Sequence, residues 1–244
     1  ELLQIMSHDI ANRISVVDMS LDYVLTKGML HDSDKAIIQK AKKNSQQLCD
    51  ILRSTQKLEL AHIKGIDLEA VDIGEVFNSI ENFFKIQMTS KNINLICLNH
   101  IPPYLKLMAE KSSLEMSVLS NLISNAIKFS PNGTSITMEA TVSKDKAIIS
   151  ITDQGRGMLS EERENLFKKK HRTSTLGTNG EQGTGFGLGI VNKYVQMYNA
   201  NISVEPNFPT GTKFIITLDL FHPQYLGTTS SLSDANVGTS TLQN

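Results

Sequence analysis

Three short runs hold the residues of this chain that could do chemistry. Asn121-Leu-Ile-Ser-Asn125-Ala-Ile-Lys128-Phe129 offers two amide oxygens and an amine; Asp153-Gln-Gly155-Arg-Gly157 offers one carboxylate among glycines; Gly183-Thr-Gly185-Phe-Gly187-Leu-Gly189 is a glycine-rich loop that opens an apolar helix. Asn121 and Asn125 stand four apart and share a helix face. Magnesium prefers hard oxygen ligands, keeps several waters and binds substrate phosphates, so neutral amide oxygens suit a metal whose charge the phosphates already balance. Lys128 can meet a phosphate oxygen as a point charge. An ionised Asp only accepts hydrogen bonds, which makes Asp153 a partner for the exocyclic amine of adenine. Gly155 and Gly157 let backbone approach a ring and turn sharply. Unpaired amides at the start of the helix after Gly183 favour anions, phosphates above all. Each run alone also fits a capped helix, a plain turn or a loop; in this order they describe a pocket for a magnesium nucleotide. Upstream, Ser7-His8-Asp9-Ile10-Ala11-Asn12 sets an imidazole beside a carboxylate. A nucleotide pocket and a presented histidine in one chain suggest phosphoryl transfer onto that histidine.

Two kinds of element must position these groups. Residues 1 to about 63 contain no proline and one glycine, and Ile10, Ile14, Val17, Leu21 and Val24 advance by alternating four- and three-residue steps. That is a heptad seam. Gly28 can close the first helix and Asp32 or Ser33 can cap the next. Ile37, Ala41, Asn44, Leu48, Ile51, Thr55 and Leu58 continue the same steps. The two helices make a hairpin with too little core of its own, and pairing with a second copy into a four-helix bundle is the natural remedy. With Ile10 at a d position, His8, Asp9 and Asn12 fall at b, c and f and point away from that core.

From about Asp67 the pattern becomes mixed. It predicts a short strand over 68–73, a helix over 76–90 with Phe77, Ile80, Phe83 and Phe84 inward, and a strand over 93–98. An amphipathic helix follows over 112–129, with Leu114, Val118, Leu119, Leu122, Ile123 and Ile127 in one stripe. A hairpin over 135–153, a short helix over 160–167, a helix over 185–198 and a last hairpin over 201–220 complete the pattern. Residues 170–184 read as mobile, and the Ser/Thr-rich stretch from Gly227 as disordered. The expected division is 1–64, 65–222 and a tail at 223–244.

Composition bounds the rest. A net charge of -1 gives no global electrostatic reason to bind nucleic acid. No apolar run approaches the ~20 residues that span a bilayer, and no secretory signal is visible. The chain begins with Glu1, already in helical register, and reads as a fragment or a processed product. Cys49 and Cys97 read as free, buried thiols in a reducing compartment. Lys168-Lys-Lys-His171-Arg172 reads as a solvated face that could also steer phosphates.

Taken together and in this order, the runs resemble the transmitter region of two-component sensor histidine kinases over about residues 1–220. The histidine box is similar to Ser7 through Asn12, the asparagine box to Asn121 through Phe129, and the two glycine boxes to Asp153 through Gly157 and Gly183 through Gly189. The resemblance implies an α+β protein: a dimeric helical hairpin, then an α/β sandwich of the gyrase, chaperone and histidine kinase type that binds ATP. It implies that His8 attacks the γ-phosphate of ATP, that Asp9 receives the other ring proton, and that Asn125, assisted by Asn121, binds Mg2+. Asp153 would read adenine. Lys128, Phe129, Gly155, Gly157, Thr184, Gly185, Gly187 and Leu188 would complete the ATP site. The phosphoryl group would pass to an aspartate on a response regulator receiver domain, which Asn12 would help to dephosphorylate. The expected state is a homodimer and the expected location cytoplasmic, with any membrane anchor outside this chain. Three departures stand out: Arg13 where the family usually has proline, Lys170 near its second aromatic, and Phe129 where tyrosine is common. The alternatives are an ATPase or serine kinase on the same nucleotide fold, or a degraded kinase serving as a dimeric scaffold.

Overall fold

The structure, a computed structural model, describes residues 2–27, 31–167, 177–178 and 186–221; at some positions of the first two helices it describes the backbone alone. α1 (Leu2–Lys27) and α2 (Asp32–Lys64) form the hairpin. α1 runs unbroken through Arg13, because without a proline the helix keeps that hydrogen bond. The start of α2 differs from expectation. His31 holds the N-cap position in extended backbone with no side-chain cap bond, while Asp32 and Asp34 lie inside the first turn, where the positive end of the helix dipole favours them.

The covered stripe of α2 is not its heptad stripe. Lys42 pairs with Asp22, Ser45 Oγ donates to Ile14 O at 3.3 Å, and Cys49 is buried. Ile37, Ala41, Asn44 and Leu48 lie one residue back, about 100° round the helix, and all four are exposed. Ile10, Val17 and Val24 on α1 are exposed too, with Ile14 and Leu21 half-buried. A single hairpin therefore spends one stripe on itself and leaves much of its heptad stripe uncovered. The side chains of Ile51, Thr55 and Leu58 lie outside the described residues.

The remaining chain alternates strand and helix: β1 (Glu69–Val71), α3 (Ile73–Lys91), β2 (Asn94–Asn99), β3 (Leu107–Ala109), α4 (Lys111–Ser113), a π-helical stretch Leu114–Leu119, α5 (Ser120–Phe129), β4 (Ser135–Ser143), β5 (Lys146–Thr152), α6 (Ser160–Asn165), α7 (Gly187–Met197), β6 (Asn201–Pro206) and β7 (Thr212–Asp219). Five strands form one sheet in the order β2-β4-β5-β7-β6. β2 runs parallel to β4, and the other pairs are antiparallel. β1 and β3 make a separate two-stranded ribbon. Period-two alternation sends Ile136, Met138, Ala140, Ala147, Ile149, Ile151, Phe214, Ile216 and Leu218 to one sheet face. The apolar stripes of α3, α5 and α7 join them in a single core, with Phe77, Leu122 and Val191 fully enclosed.

Four expectations need correction. Phe83 is 57% exposed; α3 buries Phe77, Ile80 and Phe84 on its core face, and Phe83, about 100° round the helix from Phe84, meets that ring edge-on at 4.9 Å. The helix expected over 112–129 contains the π-helical stretch, although its whole predicted stripe is buried. Strand β3, which pairs with β1, went unforeseen. Cys97 is only half-buried, and burial pushes its thiol up to about 11, whereas Cys49 is buried.

Candidate functional site

α5 is amphipathic for its full length, so burying Leu122, Ile123, Ala126 and Ile127 fixes the direction of its other face. That face carries Asn121, Asn125 and Lys128, all half-buried. Asn121 Nδ2 donates to Ser117 O at 2.7 Å, which turns Oδ1 away from its own helix. Oδ1 meets the start of α7: a Cβ added to Gly187 would lie 2.5 Å from it. Glycine at 187 is thus what lets the first turn of α7 approach the asparagine helix. Leu188 follows, half-buried.

Phe129 links the end of α5 to the first glycine box. Lys128 Nζ lies 4.5 Å and the Arg156 guanidinium 5.5 Å from its ring centroid, within range of cation–π attraction. Gly155 packs against Phe129 O so closely that a Cβ would come within 2.7 Å.

Asp153 follows β5 and is 5% exposed. Its Oδ1 accepts from Gly155 N at 2.8 Å and Thr212 N at 3.1 Å. Among the described residues Oδ2 receives no hydrogen bond, so an acceptor stays open. Burial pushes the carboxyl above its ordinary range, and the two amides pull it part of the way back. The chain from Asn207 to Thr212 wraps this acid: Asn207 Nδ2 donates to Asp153 O at 2.9 Å, and Asp153 N to Thr212 O at 2.9 Å. Gly211 has φ +130, and a Cβ there would overlap Asp153 O. Gly157 sits against the Gly211 backbone.

The structure therefore brings the asparagine box, the first glycine box and the start of α7 together. Asn207, Gly211 and Thr212 escaped the sequence reading; a glycine before an apolar alternation signals only a hairpin turn. The backbones of His8, Asp9 and Asn12 are helical in α1, but their side chains lie outside the described residues. So do Thr184, Gly185 and the basic run 168–172, and the stretches read as mobile or disordered lie wholly or mostly there. Among the described residues no helix is long and apolar enough to cross a membrane.

This mixed sheet shares one core with the helices, and Asp153 is buried just after β5. Residues 111–222 match the family described as histidine kinase-, DNA gyrase B-, and HSP90-like ATPase. The chain is 24% identical over 224 residues to the sensor-like histidine kinase SenX3 of Mycolicibacterium smegmatis, covering 90% of this chain and 56% of that protein. It is 29% identical over 228 residues to the sensor histidine kinase RcsC of Escherichia coli, covering 91% of this chain and 23% of that one. Among solved structures, the Acinetobacter baumannii histidine kinase AdeS superposes with a TM-score of 0.61 at 19% identity, covering 86% of this chain and 96% of that one. Full-length ShkA, solved with AMPPNP, gives 0.67 at 20% identity over 90% of this chain and 46% of that one. Residues 111–222 are thus similar to that ATPase family, the curated relatives matched over most of this chain are named as sensor histidine kinases, and the chain spans about half or less of the length of these relatives.

Proposed function

We propose that this chain phosphorylates its own His8 from ATP and passes the phosphoryl group to an aspartate on a response regulator. The observation that carries the reading is Asp153: a buried carboxylate with one oxygen saturated by two amides and the other open among the described residues, the arrangement that reads an exocyclic amine. ATP would lie between α5, the Asp153 turn and the start of α7, with Lys128 and the α7 amides toward its phosphates. A lone pair of the His8 imidazole attacks the γ-phosphorus, the bond to the β-bridging oxygen breaks, and ADP leaves. Asp9 takes up the proton on the other ring nitrogen, which fixes the tautomer and offsets the charge on the phosphorylated ring. The nitrogen–phosphorus bond then breaks in favour of the regulator's carboxylate oxygen.

Asn125 and Asn121 would hold Mg2+, and Asn121 fits that role because its amide nitrogen is spent on Ser117 O and its oxygen faces α7. Bound there, the metal would neutralise charge on the phosphate oxygens. Catalysis of this kind is mostly positioning and charge stabilisation. Asn12, one turn from His8, would place a water for dephosphorylating the regulator.

The domain boundary proposed is 64/65, with the hairpin as dimerisation and phosphotransfer unit. The uncovered stripe of Ile10, Val17, Val24, Ile37 and Leu48 supports pairing with a second copy. The test is transfer of γ-labelled phosphate. Label in a base-stable, acid-labile linkage, absent in His8→Gln while nucleotide affinity is retained, is the expected result. Acid-stable label on a hydroxyl, or hydrolysis with no labelled chain, would move the reading to a serine kinase or an ATPase. Failure to bind an ATP analogue with Mg2+ would leave a scaffold.

A further inference from the structure

The last turn of a helix leaves carbonyls without partners inside the helix. α5 ends at Phe129, and Ser130 leaves in extended backbone at φ -83 and ψ 136, so no left-handed residue closes it. Ala126 O is met by Ser130 N at 3.0 Å. The next carbonyls converge instead on one ammonium from another helix. Lys91 Nζ, on the last residue of α3, lies 2.7 Å from Ile127 O, 3.3 Å from Lys128 O and 3.3 Å from Ser130 O. It also lies 2.7 Å from Thr178 Oγ1. Thr178 N donates to Lys128 O at 3.0 Å, and its hydroxyl stands 3.2 Å from Lys128 O and 3.0 Å from Ser130 O. The hydroxyl can accept from Lys91 and donate to one of these carbonyls.

Lys91 is 5% exposed. A buried ammonium is costly unless it is hydrogen-bonded, and here it is satisfied by carbonyls at the negative end of a helix dipole. The turn that it holds carries Lys128 and Phe129, two of the residues assigned above to the nucleotide. Thr178 lies in sequence between the two glycine boxes. We infer that Lys91 is a positioning residue: it clasps the last turn of α5 and docks Thr178 onto it, which sets the geometry in which Lys128 and Phe129 meet the nucleotide. The inference rests on the nucleotide reading of that site for its functional consequence, and on the hydrogen bonds alone for the clasp.

The test uses the full chain, a non-hydrolysable ATP analogue with Mg2+, and amide exchange at Ser130 and Thr178. Lys91→Met is expected to weaken the analogue about tenfold and to speed exchange at both amides about tenfold, the size of one lost charged hydrogen bond. Thr178→Val is expected to shift both readouts in the same direction by a smaller factor, and Thr178→Ser, which keeps the hydroxyl, to restore them. The double variant should be no weaker than Lys91→Met. A folded Lys91→Met chain with native affinity and native exchange overturns the inference. If Lys91→Met does not fold, Thr178→Val decides: behaviour identical to Thr178→Ser in both readouts overturns it. If the native chain binds no nucleotide, the functional reading fails, yet exchange at Ser130 and Thr178 still decides the clasp.

Discussion

Replacing Asp153 by Asn should separate binding from stability. The variant can keep Oδ1 under the Gly155 and Thr212 amides and place an NH2 group where Oδ2 stands. An adenine amine that found a charged acceptor then meets a second donor. A hydrogen bond to a charged group contributes about 1.5–3 kcal/mol, so the analogue should bind roughly 100-fold more weakly at 1.4 kcal/mol per tenfold. Stability should move the other way. The folded carboxyl is raised above its ordinary 3.8 because burial disfavours the charge. Between those two values the native chain holds a proton that the unfolded chain lacks, so stability falls as pH rises through the window, and above it the cost of the buried charge is fully present. The amide in the Asp153→Asn variant carries no such charge. The variant's Tm at neutral pH should equal or exceed that of the native chain, and its Tm against pH should lose that descending limb. Calorimetric titration with the analogue and thermal melts across pH measure both. Affinity within about threefold of native, or a clear fall in Tm at neutral pH, would refute the assignment of Asp153.

Other perturbations follow from the same geometry. Gly211→Ala, whose Cβ would overlap Asp153 O at φ +130, should cost at least about 2 kcal/mol in urea unfolding and disturb Asp153. Gly189→Ala adds a Cβ that meets nothing within 4 Å in the helix, so it should stabilise by about 0.5–1 kcal/mol. Leu122→Ala, at a fully enclosed position, should cost about 2–5 kcal/mol. Asp72 caps α3 through Gly74 N at 2.8 Å, and Asp72→Ala should cost about 1 kcal/mol. The Lys106 ammonium beside it holds the Asp72 carboxyl below its ordinary value. Its contribution is therefore present above the unfolded pKa and lost as pH falls through the lower folded one; the Ala variant should show a shallower acid limb in a pH series of melts.

The sequence by itself settled what depends on neighbours along the chain. Heptad steps gave α1 and α2, alternation gave β4, β5 and β7, and the stripe from Leu114 to Ile127 gave the buried face of the asparagine helix and, by subtraction, the face that carries Asn121, Asn125 and Lys128. The motifs named Asp153 and Gly187 because each sits in a short run with its own chemical logic. Tertiary structure alone decided which of these runs meet. That Gly187 abuts Asn121, that Asn207, Gly211 and Thr212 cradle Asp153, and that Lys91 closes α5 all depend on contacts between segments far apart in the chain. It also decided that α2 turns Ser45 and Cys49, not its heptad stripe, toward α1. The physical reason is that apolar burial is non-directional: a periodic stripe tells an element which side to hide, but which partner hides it, and which backbone carbonyl then comes within reach of which side chain, is fixed only when all the stripes are buried at once.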